Sequence, residues 1–185
     1  MTDTAGGLPE QELIERVINI KRVSKVVKGG KRMKLSASVV VGDGRGQVGL
    51  GHGKSSEVAA AVRKATARAR KDMVRVAVKG RTIPHSTEGK YVASRVIVRP
   101  ASEGTGLIAC PQVRAVLEAA GLSDALTKSL GSRNAYNTAR ATIVALRQLR
   151  TIDQVAAVRN KPVGHLAQPK RTSTDEAETT ESQAG

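Results

Sequence analysis

Half of the residues from Gly42 to Gly53 are glycine, and the last three, Gly49, Gly51 and Gly53, alternate with Val48, Leu50 and His52. A period of two marks a strand, because successive side chains of a strand point to opposite faces. One face of this strand therefore carries no side chains at all. Glycine weakens a strand and is kept where a bulge forms or where another backbone comes close, so the fold has to supply a close neighbour here. Upstream, Leu35, Ala37, Val39 and Val41 alternate along a partner strand, and Gly42-Asp43-Gly44-Arg45-Gly46 has turn composition, which together read as a hairpin.

The same stretch ends in Gly53-Lys54-Ser55, the close of a phosphate loop. That loop needs a further glycine five positions before Gly53, where this chain has Val48. Gly44, Gly46 and Gly49 fit the dinucleotide spacing, but a second strand-like run follows them, whereas that motif opens directly into a helix. A nucleotide-dependent enzyme is thus the weaker reading. Catalysis in general lacks parts: there is no carboxylate pair or nucleophile beside a base, the single Cys110 sits in an apolar run, and His52, His85 and His165 are too scattered for a metal cluster. No cofactor is expected.

Among 185 residues there are two tyrosines and no phenylalanine or tryptophan, so any core is aliphatic and single-strand recognition by base stacking has few platforms. Charge is more telling. Lysine and arginine number 31 against 16 acids, a net charge of +15. Four of the acids fall in the last fourteen residues, so the body sets 31 bases against 12 acids. Such a balance points to a polyanion. No apolar run approaches the ~18 residues of a membrane helix, and the start of the chain lacks the basic and apolar parts of a signal peptide, so a soluble, cytoplasmic protein is expected.

Along the chain, residues 1–11 read as a flexible leader, and Glu12 to Val27 as a strand rich in β-branched residues. Lys21 to Lys34 then places seven bases and no acid around Gly29-Gly30, which predicts a basic finger that enters a phosphate-lined cleft. After the glycine-faced strand, a helix capped by Ser55 or Ser56 is predicted, with Val58, Val62, Ala65, Ala69, Met73 and Val76 as its inner stripe. Lys64, Arg68, Lys71 and Arg75 follow one position round, joined by Arg63 and Arg70. A solvated face normally mixes both signs, so this face reads as a second contact for the polyanion. Residues 12–80 thus make a three-stranded sheet with one helix, and 81–91, with Pro84 and Gly89, a hinge.

The second domain, 92–161, begins with a strand over Val92 to Pro100 and a Gly104-Thr105-Gly106 turn. A helix follows, with Pro111 at its start, Val113, Val116, Leu117 and Ala120 inward, and Gly121 as its stop. Next come a strand ending at Gly131-Ser132, a helix from Asn134 to Leu149, and a shorter one from Ile152 to Arg159. Residues 162–185 have the composition of a disordered acidic tail. The fold class is α+β.

The blocks "RVSKVVKGGKR", "VVVGDGRGQVGLGHGKSSEV", "SRVIVRPASEGTGLIA" and "RAVLEAAG" resemble the signature blocks of bacterial small-subunit (30S) ribosomal protein S-five, in that family's order and over about Glu12 to Lys161. The resemblance implies a double-stranded-RNA-binding-like domain followed by a βαβ-type α/β domain with a left-handed crossover. It also implies a structural role: binding small-subunit (16S) rRNA, joining body to head, and supporting decoding accuracy near the mRNA channel beside proteins S-four and S-eight. For the finger it implies RNA contacts by Arg22, Ser24, Lys25, Lys28, Gly29, Gly30, Lys31 and Arg32 close to the spectinomycin site. For Glu103, Gly104, Thr105, Gly106 and Arg114 it implies the contact with S-four. The chain departs from the family pattern at Cys110-Pro111, in place of small glycines, at Met33 and Leu50, in place of aromatics, and in its acidic tail.

Taken with that resemblance, the expected RNA surface comprises the finger from Lys21 on, Arg45 in the glycine-rich turn, Lys54, the helix bases Lys64 and Arg68, and the bare face of Gly49, Gly51 and Gly53, with an RNA backbone as the close neighbour. RNA shape rather than base identity would supply specificity. A free-standing regulator that binds RNA duplexes is the other binding function compatible with these residues.

Overall fold

The structure, a computed structural model, describes residues 13–163. The leader over 1–11, the tail from 164 onward and His165 lie outside the described residues. The chain divides after Leu149 into two units.

The first unit begins with three antiparallel strands, β1 (Ile14–Val27), β2 (Gly30–Gly42) and β3 (Gln47–Ser55), extended by a two-residue β4 (Val74–Arg75) in the order β1-β2-β3-β4. Helix α1 (Val58–Lys71) links β3 to β4. β2 shows why this sheet holds. Its Val39, Val40 and Val41 are all buried, so the sheet is covered on both faces.

On one face, Ala37, Val39 and Val41 pair across to Gly53, Gly51 and Gly49, and α1 lies over them. A Cβ placed on Gly49, Gly51 or Gly53 would fall within 3.0 Å of the backbone carbonyl of Ala69, Ala65 or Ala61 respectively. The periods explain the fit. Four residues of helix rise about 6 Å and two residues of antiparallel strand about 6.8 Å, so an alanine every fourth position keeps step with a glycine every second one across three pairs. This corrects the expectation for Gly49, Gly51 and Gly53: the backbone that comes close is the chain's own helix, and their bare face is buried beneath it.

The same fit shifts the helix from its predicted stripe. The buried row is Ala61, Ala65 and Ala69, with Thr66 beside it, whereas Val58 is 41% exposed. Only methyl-sized side chains fit against glycine. The helix ends at Lys71, so Met73, Val76 and Arg75 lie beyond it, and Glu57 occupies the N-cap without a side-chain cap bond where Ser55 or Ser56 was expected.

The other face of the sheet carries Val40, Val48 and Leu50, which join one aliphatic cluster with Val96, Val98, Leu117 and Leu146 of the second half. That half holds β5 (Thr87–Tyr91), β6 (Ser94–Pro100), β7 (Leu107–Ile108), α2 (Pro111–Ala119), β8 (Ala125–Gly131) and α3 (Ala135–Arg147), with strand order β5-β6-β8-β7. Only β7 and β8 are parallel, and α2 connects them as a βαβ unit. The 81–91 segment departs from the expected hinge: Ile83 is 1% exposed and Thr87–Tyr91 pairs with β6.

Helix α2 stops as predicted. Gly121 adopts a φ of 82°, its N–H donates to the Glu118 carbonyl and that of Leu122 to the Leu117 carbonyl, both at 3.0 Å, a paired termination that a left-handed glycine allows. Asn134 caps α3 by accepting from the Tyr136 N–H at 3.2 Å. Arg140 on α3 donates to Asp72 at the end of α1 at 2.6 Å, tying the two halves together.

Among the described residues the second unit carries one helix, α4 (Ile152–Arg159), where the sequence placed it. Thr151 and Gln154 form a reciprocal capping box, and Asn160 ends the helix in the left-handed region.

Candidate nucleic-acid interface

The finger is the far part of the β1–β2 hairpin. β2 pairs with β3 only from Leu35 to Gly42, so residues 22–34 continue as a two-stranded arm beyond the sheet. Val27 faces Gly30 at its tip. The register distributes the bases: Lys21, Lys25, Arg32 and Lys34 share one face, and Arg22 and Lys31 the other, with Lys28 at the turn. Lys25 stands directly across from Arg32. Like charges in that position destabilise a strand pair, and no acid within Lys21–Lys34 offsets them. Such an arm is suited to a polyanion that neutralises it.

The remaining expected residues divide. Lys54 lies across β2 from Ser36, which faces Lys21 on its other side, so Lys54 adjoins the base of the finger. Lys64 and Arg68 of α1 line a cavity of about 420 Å³ with His52, Gly53 and Lys54. Arg68 donates to the His52 carbonyl at 2.7 Å. Arg45 is elsewhere. Its turn is organised by Asp43, whose Oδ1 accepts from the Arg45 and Gln47 N–H groups at 2.8 Å, and it docks through the Gly44 and Gly46 N–H groups on carbonyls at the end of α2. This places Arg45 at the opposite end of β2 from the finger, roughly 40 Å away along 13 residues of strand.

Glu103, Gly104, Thr105, Gly106 and Arg114 come together around one exposed turn. The Thr105 N–H donates to the Ser102 carbonyl at 3.2 Å, Gly104 and Gly106 take φ values of 84° and 73°, and Arg114 donates to the Leu107 carbonyl at 3.1 Å. A residue that the sequence pattern did not single out fixes this turn. Asp124 is 1% exposed and its Oδ1 accepts from the Gly106 N–H at 2.8 Å. Arg81 Nε stands 3.4 Å from Oδ2, close enough for ionic attraction though not aligned for a hydrogen bond. An acid just ahead of a strand and a turn rich in glycine were both visible, but only the fold joins them.

The second omission is His52. Its ring nitrogens face the hydroxyls of Ser36 at 3.2 Å and Ser38 at 3.3 Å, and its ring centroid lies 5.4 Å from that of Tyr136. Burial, reinforced by Lys54 and Arg68, holds the His52 pKa below its usual 6.5. The folded state therefore binds fewer protons at this site than the unfolded chain between the lowered pKa and 6.5, and stability is lost as pH falls through that window. Against a His52→Gln variant, the wild type is expected to lose up to about 1.4 kcal/mol per pH unit below about pH 6.5, read from denaturant midpoints. A gap between the two proteins that stays constant from about pH 8 to 5 would contradict a neutral ring.

Among the described residues no group of three or more His, Cys, Asp or Glu could hold a metal, and no helix is long and apolar enough to cross a membrane.

Two family models match the chain, one described as ribosomal protein S5, N-terminal domain, over residues 13–77, and one as ribosomal protein S5, C-terminal domain, over residues 89–159. The chain is 48% identical over 164 residues to a small ribosomal subunit protein uS5 of Mycoplasmopsis agalactiae, with 88% of this chain and 71% of that one covered. It is 52% identical over 158 residues to a protein of the same name from Nocardia farcinica, with 85% and 72% covered.

Proposed function

The chain belongs to the ribosomal protein S5 (S-five) family, and from that premise we propose that this constituent of the small ribosomal subunit, ribosome-bound in the cytoplasm, binds small-subunit rRNA through its finger. The observation that carries this reading is the two-stranded arm of residues 22–34, with like charges paired across it and no acid present. Phosphate neutralisation offsets the repulsion and supplies the affinity. Lys54, Lys64 and Arg68 extend the surface from the base of the arm.

The finer assignments follow from the family resemblance. The protein links body and head and contributes to decoding accuracy near the mRNA channel, with its finger close to the spectinomycin site. The turn held by Asp124 meets S-four, and S-eight is a further neighbour. The domains at 12–80 and 92–161 accompany the matched ranges 13–77 and 89–159. The role is structural, without an enzymatic step or cofactor.

Sedimentation of a cell lysate through sucrose, probing for this protein at low and raised salt, tests the assignment. Stoichiometric migration with the small subunit is expected. A predominant free pool at the top of the gradient would favour a free-standing RNA regulator instead.

A further inference from the structure

We propose that the cavity between the first sheet and the start of α3 receives a single unstacked RNA base, and that the adjoining basic cavity receives the phosphate beside it. This rests on the RNA-binding reading above and extends it to residues that reading leaves unused.

The floor of the cavity is the sheet rung Asn19–Ser38–His52 and the neighbouring Lys21–Ser36 pair. On the same sheet face the neighbouring rung carries Val40 and Leu50, which belong to the aliphatic core. The face therefore changes from apolar to polar beneath the beginning of α3, and the space there stays open at about 290 Å³. Tyr136, one of only two tyrosines in the chain, forms part of the opposite wall. Its ring is inclined 59° to that of His52.

Chemistry selects the occupant. A phosphate group calls for clustered cations or convergent N–H groups, whereas this lining has one cation, Lys21, among amides, hydroxyls and rings. Neutral hydrogen-bonding groups beside an aromatic face suit a flat heterocycle that is stacked on one side and read along its edge. The volume lies near the lower end for ligand pockets, enough for one base. Burial, with Lys54 and Arg68 nearby, disfavours a charge on His52, which therefore presents a ring held between Ser36 and Ser38 rather than a second cation. Beyond it, the cavity of about 420 Å³ has the opposite character, with Lys54, Lys64 and Arg68 and no acid in its lining. Both cavities share His52, so a base in one places the backbone of the same nucleotide at the other.

The test uses the full-length protein and transcribed small-subunit rRNA, with Tyr136→Ala, Tyr136→Phe and Asn19→Leu variants. Asn19→Leu fills the cavity from β1, a strand at the edge of the sheet, and carries the test if Tyr136→Ala melts too low to use. Tyr136→Ala and Asn19→Leu are expected to weaken binding about tenfold, in line with the loss of one stacked base, while Tyr136→Phe retains it. The dependence of affinity on salt stays unchanged, because a base pocket releases no counterions. Chemical probing of the RNA shows one base that the wild type protects and both variants leave reactive. Unchanged affinity and an identical footprint in the folded variants would overturn the pocket, as would a loss accompanied by a shallower salt dependence. RNA binding itself would survive that result provided that reversing the finger charges still abolished it. A wild type without affinity for the RNA would remove both readings.

Discussion

Gly51→Ala is expected to destabilise the protein by about 3 kcal/mol, at the upper end of overpacking costs, and to lower the melting temperature by roughly 6–12 °C for a chain of this size. The added Cβ meets the Ala65 carbonyl and the Ala69 N–H. Both are helix backbone, so neither can turn aside as a flexible side chain would. Relief requires α1 to lift from the sheet, which also opens the Gly49–Ala69 and Gly53–Ala61 pairs and uncovers Val39 and Val41. Gly29→Ala is the matched control. A Cβ at the finger tip meets nothing within 4 Å, and its effect should stay within about 0.5 kcal/mol. Thermal and denaturant melts of the two variants distinguish a helix seated on glycine from a merely glycine-rich strand. A Gly51→Ala protein that melts within a degree or two of the wild type would refute the close seating.

The glycine face also marks where the sequence was legible and where it was not. Alternation of Gly49, Gly51 and Gly53 pointed to a close backbone neighbour, one of the two reasons a strand keeps glycine. It could not identify that backbone. The matching alanines begin eight residues later, and their fit appears only when a helical period of four is laid against a strand period of two. The predicted stripe through Val58 was the ordinary amphipathic choice, and it failed because glycine accepts only alanine. Features governed by local chemistry were readable: the β1–β2 hairpin, the Pro111 start and Gly121 stop of α2, the Asn134 cap of α3 and the limits of α4. Thr87–Tyr91 pairs with the next strand through a two-residue turn, but Pro84 and Gly89 gave the segment the composition of a hinge, and the cluster that buries Ile83 draws on residues as remote as Leu146.

The candidate site divides along the same line. A run of seven bases without an acid is visible in any sequence, and the finger was. Ser36, Ser38 and His52 alternate with buried residues in the manner of a solvated strand face, and nothing local shows that α3 begins above them. Asp124 and Gly106 are likewise 18 positions apart and joined only by folding. Side chains whose role depends on what a remote element places opposite them are those that pattern reading passes over.

Reversal of Lys25, Lys28 and Lys31 to glutamate is expected to lower affinity for small-subunit rRNA by roughly 10²- to 10³-fold at moderate salt and to make the salt dependence shallower by about two to three units, at 0.7–0.9 for each phosphate no longer neutralised. Stability should hold or rise slightly. The three side chains are exposed, and glutamate at position 25 would face Arg32, turning a repulsive cross-strand pair into an attractive one worth a few tenths of a kcal/mol. Binding and stability thus move apart, which damage to the fold cannot produce. Bulk charge is a separate concern, since the change lowers the net charge from +15 by six, to +9. Reversing Lys90, Arg99 and Lys128, all exposed on the second sheet, imposes the same change away from the arm. If both triple variants lose affinity equally, the finger is no more than a share of the overall positive field. A loss confined to the arm assigns the phosphate contacts to it, where Lys25 stands opposed to Arg32 in a run without an acid to neutralise them.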